Sequence, residues 1–466
     1  MARAQGGVSD PDRSYGTAVR ALATDGRRLV VGGTFARAGD LPVRSLAVLD
    51  LADDTWSDAG GGVASSWTTE PAEVHALALH EGTLHVGGSF DLAGTTSTTG
   101  LASLDLPTGS WTAHGAGLTA EGYQGTCSAL AVDPATGALH VGGSFTHAGD
   151  VRAWNLAVLR DGAWSSIGDV SSYGGRHATV RALAVSGGSV YLGGEFTAVG
   201  GAAVERLARW DGAAWGPVGE GVDNVVTALA PIGDAGVVVL GDFTASGGFR
   251  LVRGGVWTGQ HWAPFGQGVT SDPYGGGRVS AVLPDGDGAV VGGLFDQAGD
   301  LRVGSVARWT GGGWDALGGG VGASISHGQV LALARIGPDV YAAGRFDTAG
   351  GVVASNIARW DGAAWSPLGE GLDGTAHALA VLGGRLYVGG AFSLAGRVRA
   401  GNLACWDPAT STWSAVGGAR RTTRTCGPRG RRRPVARRRR RLPALLPRRD
   451  DDRRGPVGDG AVRHPP

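Results

Sequence analysis

Between residues 17 and 418 the chain alternates short apolar runs with turns rich in glycine and aspartate. One unit carries the pattern clearly: Val180 to Ala184, Ser189 to Phe196, Arg206 to Trp210 and Ala214 to Val218 are largely apolar, with Gly187-Gly188 and Asp211-Gly212 between members of the set. Runs of roughly five to eight residues with β-branched and aromatic content read as strands, and none sustains the 3.6-residue period of an amphipathic helix. Glycine at the tight turns supplies positive φ at little steric cost. Each unit therefore predicts four short strands joined by hairpins.

The unit recurs eight times. A Gly-x-Phe element ends at Phe35, Phe90, Phe145, Phe196, Phe243, Phe295, Phe346 and Phe392, and a tryptophan follows each at Trp56, Trp111, Trp164, Trp215, Trp262, Trp314, Trp365 and Trp413. The Phe-to-Trp distance is 19 or 21, whereas the distance from each Trp to the next Phe runs from 27 to 34. One part of the unit is fixed and the other is free. Four strands per unit, eight times over, predict an all-β fold: an eight-bladed β-propeller of four-stranded antiparallel blades, closed into one ring. The residue choices agree. Alanine dominates the first strand, as in Arg20-Ala21-Leu22-Ala23, where blades would converge. The Gly-Gly before the Phe permits close approach of neighbouring backbones. Phe and Trp fill the wider spaces, and each buried aromatic removes ~150–250 Å² from water.

These residues resemble the kelch repeat, whose pattern is a diglycine closing the second strand, an aromatic, six residues and a tryptophan. Trp406 to Trp413 matches that spacing; Leu49 to Trp56 and Leu104 to Trp111 keep it with leucine at the aromatic position. Trp210/Trp215, Trp257/Trp262, Trp309/Trp314 and Trp360/Trp365 have a tighter hairpin. The Gly-Gly-x-Phe-x-x-Ala-Gly signature of Gly32 to Gly39 is similar to repeats of bacterial surface propellers and of yeast cortical-marker proteins. The resemblance spans residues 17–418 and implies architecture; propellers host many unrelated functions.

Composition adds three points. The formal charge of zero divides into a tail, residues 419–466, with 17 Arg and 4 Asp, and a remainder with 24 basic and 37 acidic residues. The tail has few large apolar groups and runs of like charge such as Arg437 to Arg441, so it is expected to be disordered and dispensable for folding. Lysine is absent and Ala, Gly and Arg abound, the bias of GC-rich coding DNA, in which a shifted reading frame also yields Arg and Pro. The tail therefore also fits a frameshifted segment, and it would bind nucleic acid only if genuine. Residues 1–16 read as the remnant of a preceding repeat, because Gly6 to Pro11 resembles Gly268 to Pro273. No apolar stretch is long enough to span a bilayer and no secretory signal begins the chain, so the expected location is cytoplasmic as written, and extracellular or cell-surface if the chain is a truncated form.

The chemistry is sparse. Cys127, Cys405 and Cys426 lack the spacing of a metal or disulfide framework, Asp285-Gly286-Asp287-Gly288 falls where every other unit has a hairpin turn, and no cofactor is implied. Two groups of residues stand out. The variable loops between the fourth strand of one unit and the first strand of the next carry Trp67, Tyr123, Tyr173, Tyr274 and His327, and loops on a rigid scaffold commonly carry function. Aligned first strands place Arg20, His75, Ser128, Arg181, Thr227, Ser280, Leu331 and His377 at one repeat position, where seven of the eight are polar. On a closed ring His377, Arg20 and His75 fall on three adjacent blades, and with Arg181 they mark a candidate anion site at the channel mouth. The plain alternative is a solvated strand start. The expected function is non-enzymatic binding or cell-surface interaction with an unknown protein, a glycan or a small anionic ligand at the loop-rich face. An enzyme using the channel mouth, of kelch-type oxidase or lyase kind, is the alternative, disfavoured because the titratable residues are scattered among units.

Overall fold

A computed structural model describes residues 7–10, 17–66, 72–121, 123–173, 178–234, 236–271, 277–286, 288–323 and 328–417. The basic tail, with its expected disorder, lies outside them. The described residues form strands and turns without an α-helix, and no helix among them is long and apolar enough to cross a membrane.

The unit read above folds as Thr179–Ser186, Ser189–Glu195, Leu207–Trp210 and Trp215–Pro217, an antiparallel sheet in chain order. Eight such four-stranded sheets follow one another among the described residues, from Ala18–Thr24 at the start of the first to Thr412–Ala415 at the end of the eighth. This all-β array of four-stranded antiparallel sheets is consistent with a β-propeller. Each sheet carries a small satellite ladder. In the second, Leu92–Ala93 pairs with Thr96–Ser97 and with Val63–Ala64, which belongs to the connection arriving from the first sheet. Second-to-third and fourth-to-first connections therefore lie on one side, as alternating strand direction requires.

The Gly-Gly pair does two jobs. A Cβ on Gly32 would lie 2.6 Å from Val74 Cγ1 of the next sheet, so the first glycine sets the spacing between sheets. The second answers a β-bulge that the sequence pattern does not reveal. In the first sheet Val19 pairs with Gly33 and Ala21 with Gly32, leaving Arg20 unpaired, and a Cβ on Gly33 would collide with the Ala18 carbonyl. The same register shift recurs in all eight sheets and skips His75, Ser128, Arg181, Thr227, Ser280, Leu331 and His377. A bulge re-aims the extra side chain, so the polar repeat position is one that the backbone displays by design.

The core lies between sheets. Phe35, Phe90, Phe145, Phe196, Phe243 and Phe295 are essentially fully buried. Six of the eight fourth-strand tryptophans send the indole N–H to the preceding sheet: Trp164 donates to the His114 carbonyl at 2.8 Å and Trp413 to that of Leu368 at 2.7 Å. Trp111, Trp215, Trp314 and Trp365 do likewise, whereas Trp262 donates to Ser246 Oγ on a connection of its own sheet. Trp56 alone of the eight has no partner for this group. Its neighbour is the eighth sheet, for the first and last sheets pack together: Val19, Leu29 and Leu49 share a core with Tyr387, Leu403 and Cys405.

The chain start supplies part of that junction. Gly7 N donates to the Val416 carbonyl (2.7 Å), Val8 N to that of Gly401 (2.6 Å), and Val8 pairs with Ala38. Asn402 Nδ2 donates to the Val8 carbonyl at 2.9 Å, as Asn155 does to Val170 and Asn356 to Leu372 elsewhere in the array. Gly7–Ser9 thus bonds to residues of both the first and the eighth sheets.

Candidate functional site

Five first strands converge on one cavity of about 400 Å³, lined by Arg20, His75, Ser280 and Leu331 with the flanking Ala and Leu residues of the first, second, sixth, seventh and eighth sheets. Small residues permit this convergence, and the bulges turn the larger polar side chains toward it.

Of the residues singled out from the sequence, Arg20, His75 and His377 do come together. Glu73, which the repeat alignment missed, sits among them. Its Oε1 lies 3.4 Å from Arg20 Nη2 and its Oε2 lies 3.1 Å from His75 Nε2. His75 Nδ1 is 3.2 Å from the Cys127 carbonyl oxygen. Both contacts of this ring end on acceptors, so both are hydrogen bonds only when the imidazole carries two protons. Burial, followed by the nearby Arg20 charge, pushes the His377 pKa below its ordinary value. The expected cationic trio is therefore a mixed cluster in which Glu73 offsets Arg20 and His377 favours its neutral form. Arg181 stands on the fourth sheet and is held by Glu195 at 2.5 Å.

Two further arginines occupy the same open end. Arg278 begins the first strand of the sixth sheet, two residues before Ser280, and Arg345 ends the second strand of the seventh; both are exposed, and neither forms an ion pair among the described residues. The signal was available in the sequence, at the repeat positions flanking the bulge, where Arg278 aligns with Glu73 and Arg345 with Glu195. At the repeat positions around the bulge, Arg20, Arg181, Arg278 and Arg345 stand with Glu73, Glu195 and Asp242, the last paired with Arg253 at 3.6 Å, a cationic excess at these positions on an acidic body.

The loop residues fare differently. Trp67, Tyr274 and His327 lie outside the described residues, and Tyr123 is placed only as part of the strand Tyr123–Gln124. Tyr173 is 74% exposed, and its backbone N donates to Thr197 Oγ1 at 2.9 Å. It joins Trp154, Phe249, Leu301, Val352, Val353 and Leu394, so every exposed large apolar side chain among the described residues lies on the connections of this one side.

A second polar cluster lies in the seam between the second and third sheets. Ser103 Oγ is 2.7 Å from His85 Nδ1 and 2.7 Å from His114 Nε2, and His114 meets Trp164 edge-on. Burial first, then repulsion from His114 and His80, lowers the His85 pKa from 6.5 to about 4; burial also lowers those of His114 and His140. No group of His, Cys, Asp or Glu among the described residues is arranged to hold a metal ion. The consequence is for stability. The folded state resists protonation of His85 while the unfolded chain accepts it near pH 6.5, so stability is complete above that pH and is lost as pH falls toward 4. From His85 alone, unfolding free energy should be at most about 2–3 kcal/mol lower at pH 4.5 than at pH 7.5. Urea titrations at the two pH values should show the loss, and His85→Val, which copies Val30 of the first sheet, should remove most of it; an equal loss in the variant would contradict this source.

No family model matches the chain, and no curated protein matches it. Among solved structures, the computationally designed protein Ika8 aligns over 86% of this chain and 99% of its own with a TM-score of 0.50 and 18% identity. That likeness concerns the fold alone. The extracellular domain of a protein described as a hybrid two component system of B. thetaiotaomicron aligns over 87% of this chain and 58% of its own with 13% identity and a TM-score of 0.27, too low to bear on the fold.

Proposed function

We propose that the eight sheets are the blades of a closed β-propeller of the kelch-like Gly-Gly-x-Phe type, and that the protein is a binding module that captures a small anionic ligand, or an acidic group of a larger one, at the mouth where the first strands meet. Three features support closure. The cores pass from each sheet to the next and from the eighth to the first. Gly389 of the eighth sheet abuts Val19 of the first as Gly32 abuts Val74. The chain start fills the connection between the two ends.

One observation carries the binding reading: bulges recur in all eight first strands, four of the side chains they display (Arg20, His75, Ser280 and Leu331) line one opening, and Arg278 and Arg345 stand exposed at the same end of their sheets. Ser280 and the backbone around it line the wall beside Arg278. A carboxylate, sulfate or phosphate group would gain charge-assisted hydrogen bonds from exposed guanidinium groups. A binding role fits these residues better than catalysis, because the acidic groups here are already paired, Glu73 with Arg20 and His75 and Glu195 with Arg181, and burial with the Arg20 charge lowers the His377 pKa.

Isothermal titration with citrate, a hexuronate, sulfate and phosphate tests the reading. At least one anion should bind, and Arg278→Ala combined with Arg345→Ala should weaken it by about 100-fold, since each charge-assisted hydrogen bond to the anion contributes on the order of 1.4 kcal/mol. Binding should also weaken with added salt. Absence of binding by all four probes, or equal affinity in the double variant, would refute it.

A further inference from the structure

The repeats serve as controls for one another, and one seam departs from the rest. At the middle of the second strand, three sheets place a tyrosine facing the next sheet: Tyr191, Tyr341 and Tyr387. Beside the first two stands an arginine on the third strand, and a tryptophan of the following sheet covers the pair. Arg209 and Trp257 cover Tyr191, with Arg209 Nε 2.9 Å from Ser189 Oγ. Arg359 and Trp406 cover Tyr341, with Arg359 Nε 2.7 Å from Asp339 Oδ2. Around Tyr387 both fillers are missing. Cys405 stands where the others have arginine, and the following sheet, the first, presents Leu49 where the others present tryptophan. The seam between the eighth and first sheets consequently holds a cavity of about 350 Å³ bordered by Asp54, Arg385, Tyr387, Cys405, Asp407 and Ser414.

Its walls are polar and carry one guanidinium, Arg385, against two carboxylates, Asp54 and Asp407. Arg385 Nη2 and Asp407 Oδ2 form an ion pair at 3.2 Å. Asp54 Oδ1 accepts from Gly417 N at 3.2 Å, Ser414 Oγ donates to the Cys405 carbonyl at 3.4 Å, and the Ser414 and Tyr387 side chains both hydrogen-bond the Cys405 thiol. Burial holds both the Tyr387 phenol and the Cys405 thiol in their protonated, neutral forms. Leu51, Ala415 and Val416 supply apolar surface. An anionic ligand would meet two carboxylates here and could reach the one guanidinium only by breaking the Arg385–Asp407 pair. A ring with several hydroxyls meets donors and acceptors in alternation and an apolar patch for its C–H face, and the volume lies at the small end of ligand pockets, which span ~300–1,000 Å³.

We propose that this seam cavity is a binding site for a small neutral polyhydroxylated molecule of monosaccharide size, separate from the anion-binding mouth. The cavity lies on the opposite edge of the sheets, among the first-to-second and third-to-fourth turns, so the two sites are independent.

The test uses the full chain and a panel of glucose, galactose, mannose, ribose and inositol, read by saturation-transfer NMR and by thermal shift. At least one member should bind with a Kd of about 1 mM, the strength appropriate to some twelve heavy atoms. The variant R385D/C405R transplants the Asp339–Tyr341–Arg359 arrangement into this seam and should fill the cavity, abolishing binding while the protein remains folded. Tyr387→Phe, which keeps the shape, should weaken binding by about tenfold, the effect of one hydrogen bond; it serves alone if the double variant fails to fold. Arg278→Ala should leave sugar binding unchanged, which separates failure of this site from failure of the mouth. No binding by any panel member at about 100 mM, or binding unaltered in Tyr387→Phe and in R385D/C405R, would overturn the proposal.

Discussion

Trp215→Ala is expected to lower the unfolding free energy by about 3–5 kcal/mol, the usual range for removing a buried tryptophan from a packed core. Trp215 is 9% exposed and its ring packs on Trp210 with centroids 5.6 Å apart. The indole N–H donates to the Ile167 carbonyl of the preceding sheet at 2.5 Å. A Cβ on Gly200, whose φ is +57°, would lie 3.0 Å from Trp215 Cδ1, so the ring fills a slot that the neighbouring turn was shaped to leave. Truncation therefore opens a cavity and orphans a carbonyl at once. Trp56, whose N–H has no partner, should show the smaller loss of the two when replaced by alanine. Chemical denaturation of both variants decides this, and a change below about 1 kcal/mol for Trp215→Ala would mean that the ring is not a core element.

Removal of residues 1–10 is expected to cost about 4–5 kcal/mol: roughly 2 kcal/mol for the buried Val8 side chain and about 1 kcal/mol for each of the hydrogen bonds to Val416, Gly401 and Asn402. Val8 is fully buried in the core shared by the first and eighth sheets. The loss falls at one junction, so the truncated protein should open there first, with early hydrogen exchange confined to Ala18–Thr34 and Leu403–Ala415. Val8→Asp should reproduce the effect without shortening the chain, because an unpaired carboxylate cannot be accommodated in that core. Unchanged stability in both variants would show that the chain start merely rests on the array.

Much of this was legible before any coordinates. The Phe/Trp register located all eight sheets, and the strands read in the fourth unit match the observed ones to within two residues at either end. The repeat position of Arg20, His75 and His377 was visible because a polar residue interrupted an apolar strand. Its cause was not, since a bulge is a pairing irregularity that leaves no period of its own; only the second glycine of Gly32-Gly33 hints at it. Glu73 escaped notice because it lies two residues before His75, and a one-position alignment cannot see a counterion at the neighbouring position. The Tyr387 cavity was hidden for another reason. It arises from what Cys405 and Leu49 fail to fill, and those residues stand more than 350 positions apart in the chain.

The proposed closure of the eight sheets into a ring underlies the proposed common mouth, and distances around the array test it most directly. Pro42, Ser97, Arg152, Ala203, Arg250, Arg302, Val353 and Arg399 occupy equivalent exposed positions on the second-to-third connections of successive sheets. With Cys127 and Cys405 replaced by alanine and Cys426 by serine, spin labels at position 42 and at each of the others in turn give a series of distances by pulsed electron resonance. A closed ring of eight predicts a rise to a maximum at position 250, on the fifth sheet, and a return at position 399 to the value found at position 97. A distance that grows steadily through position 399 would contradict the ring, and with it the shared mouth on which the proposed function rests.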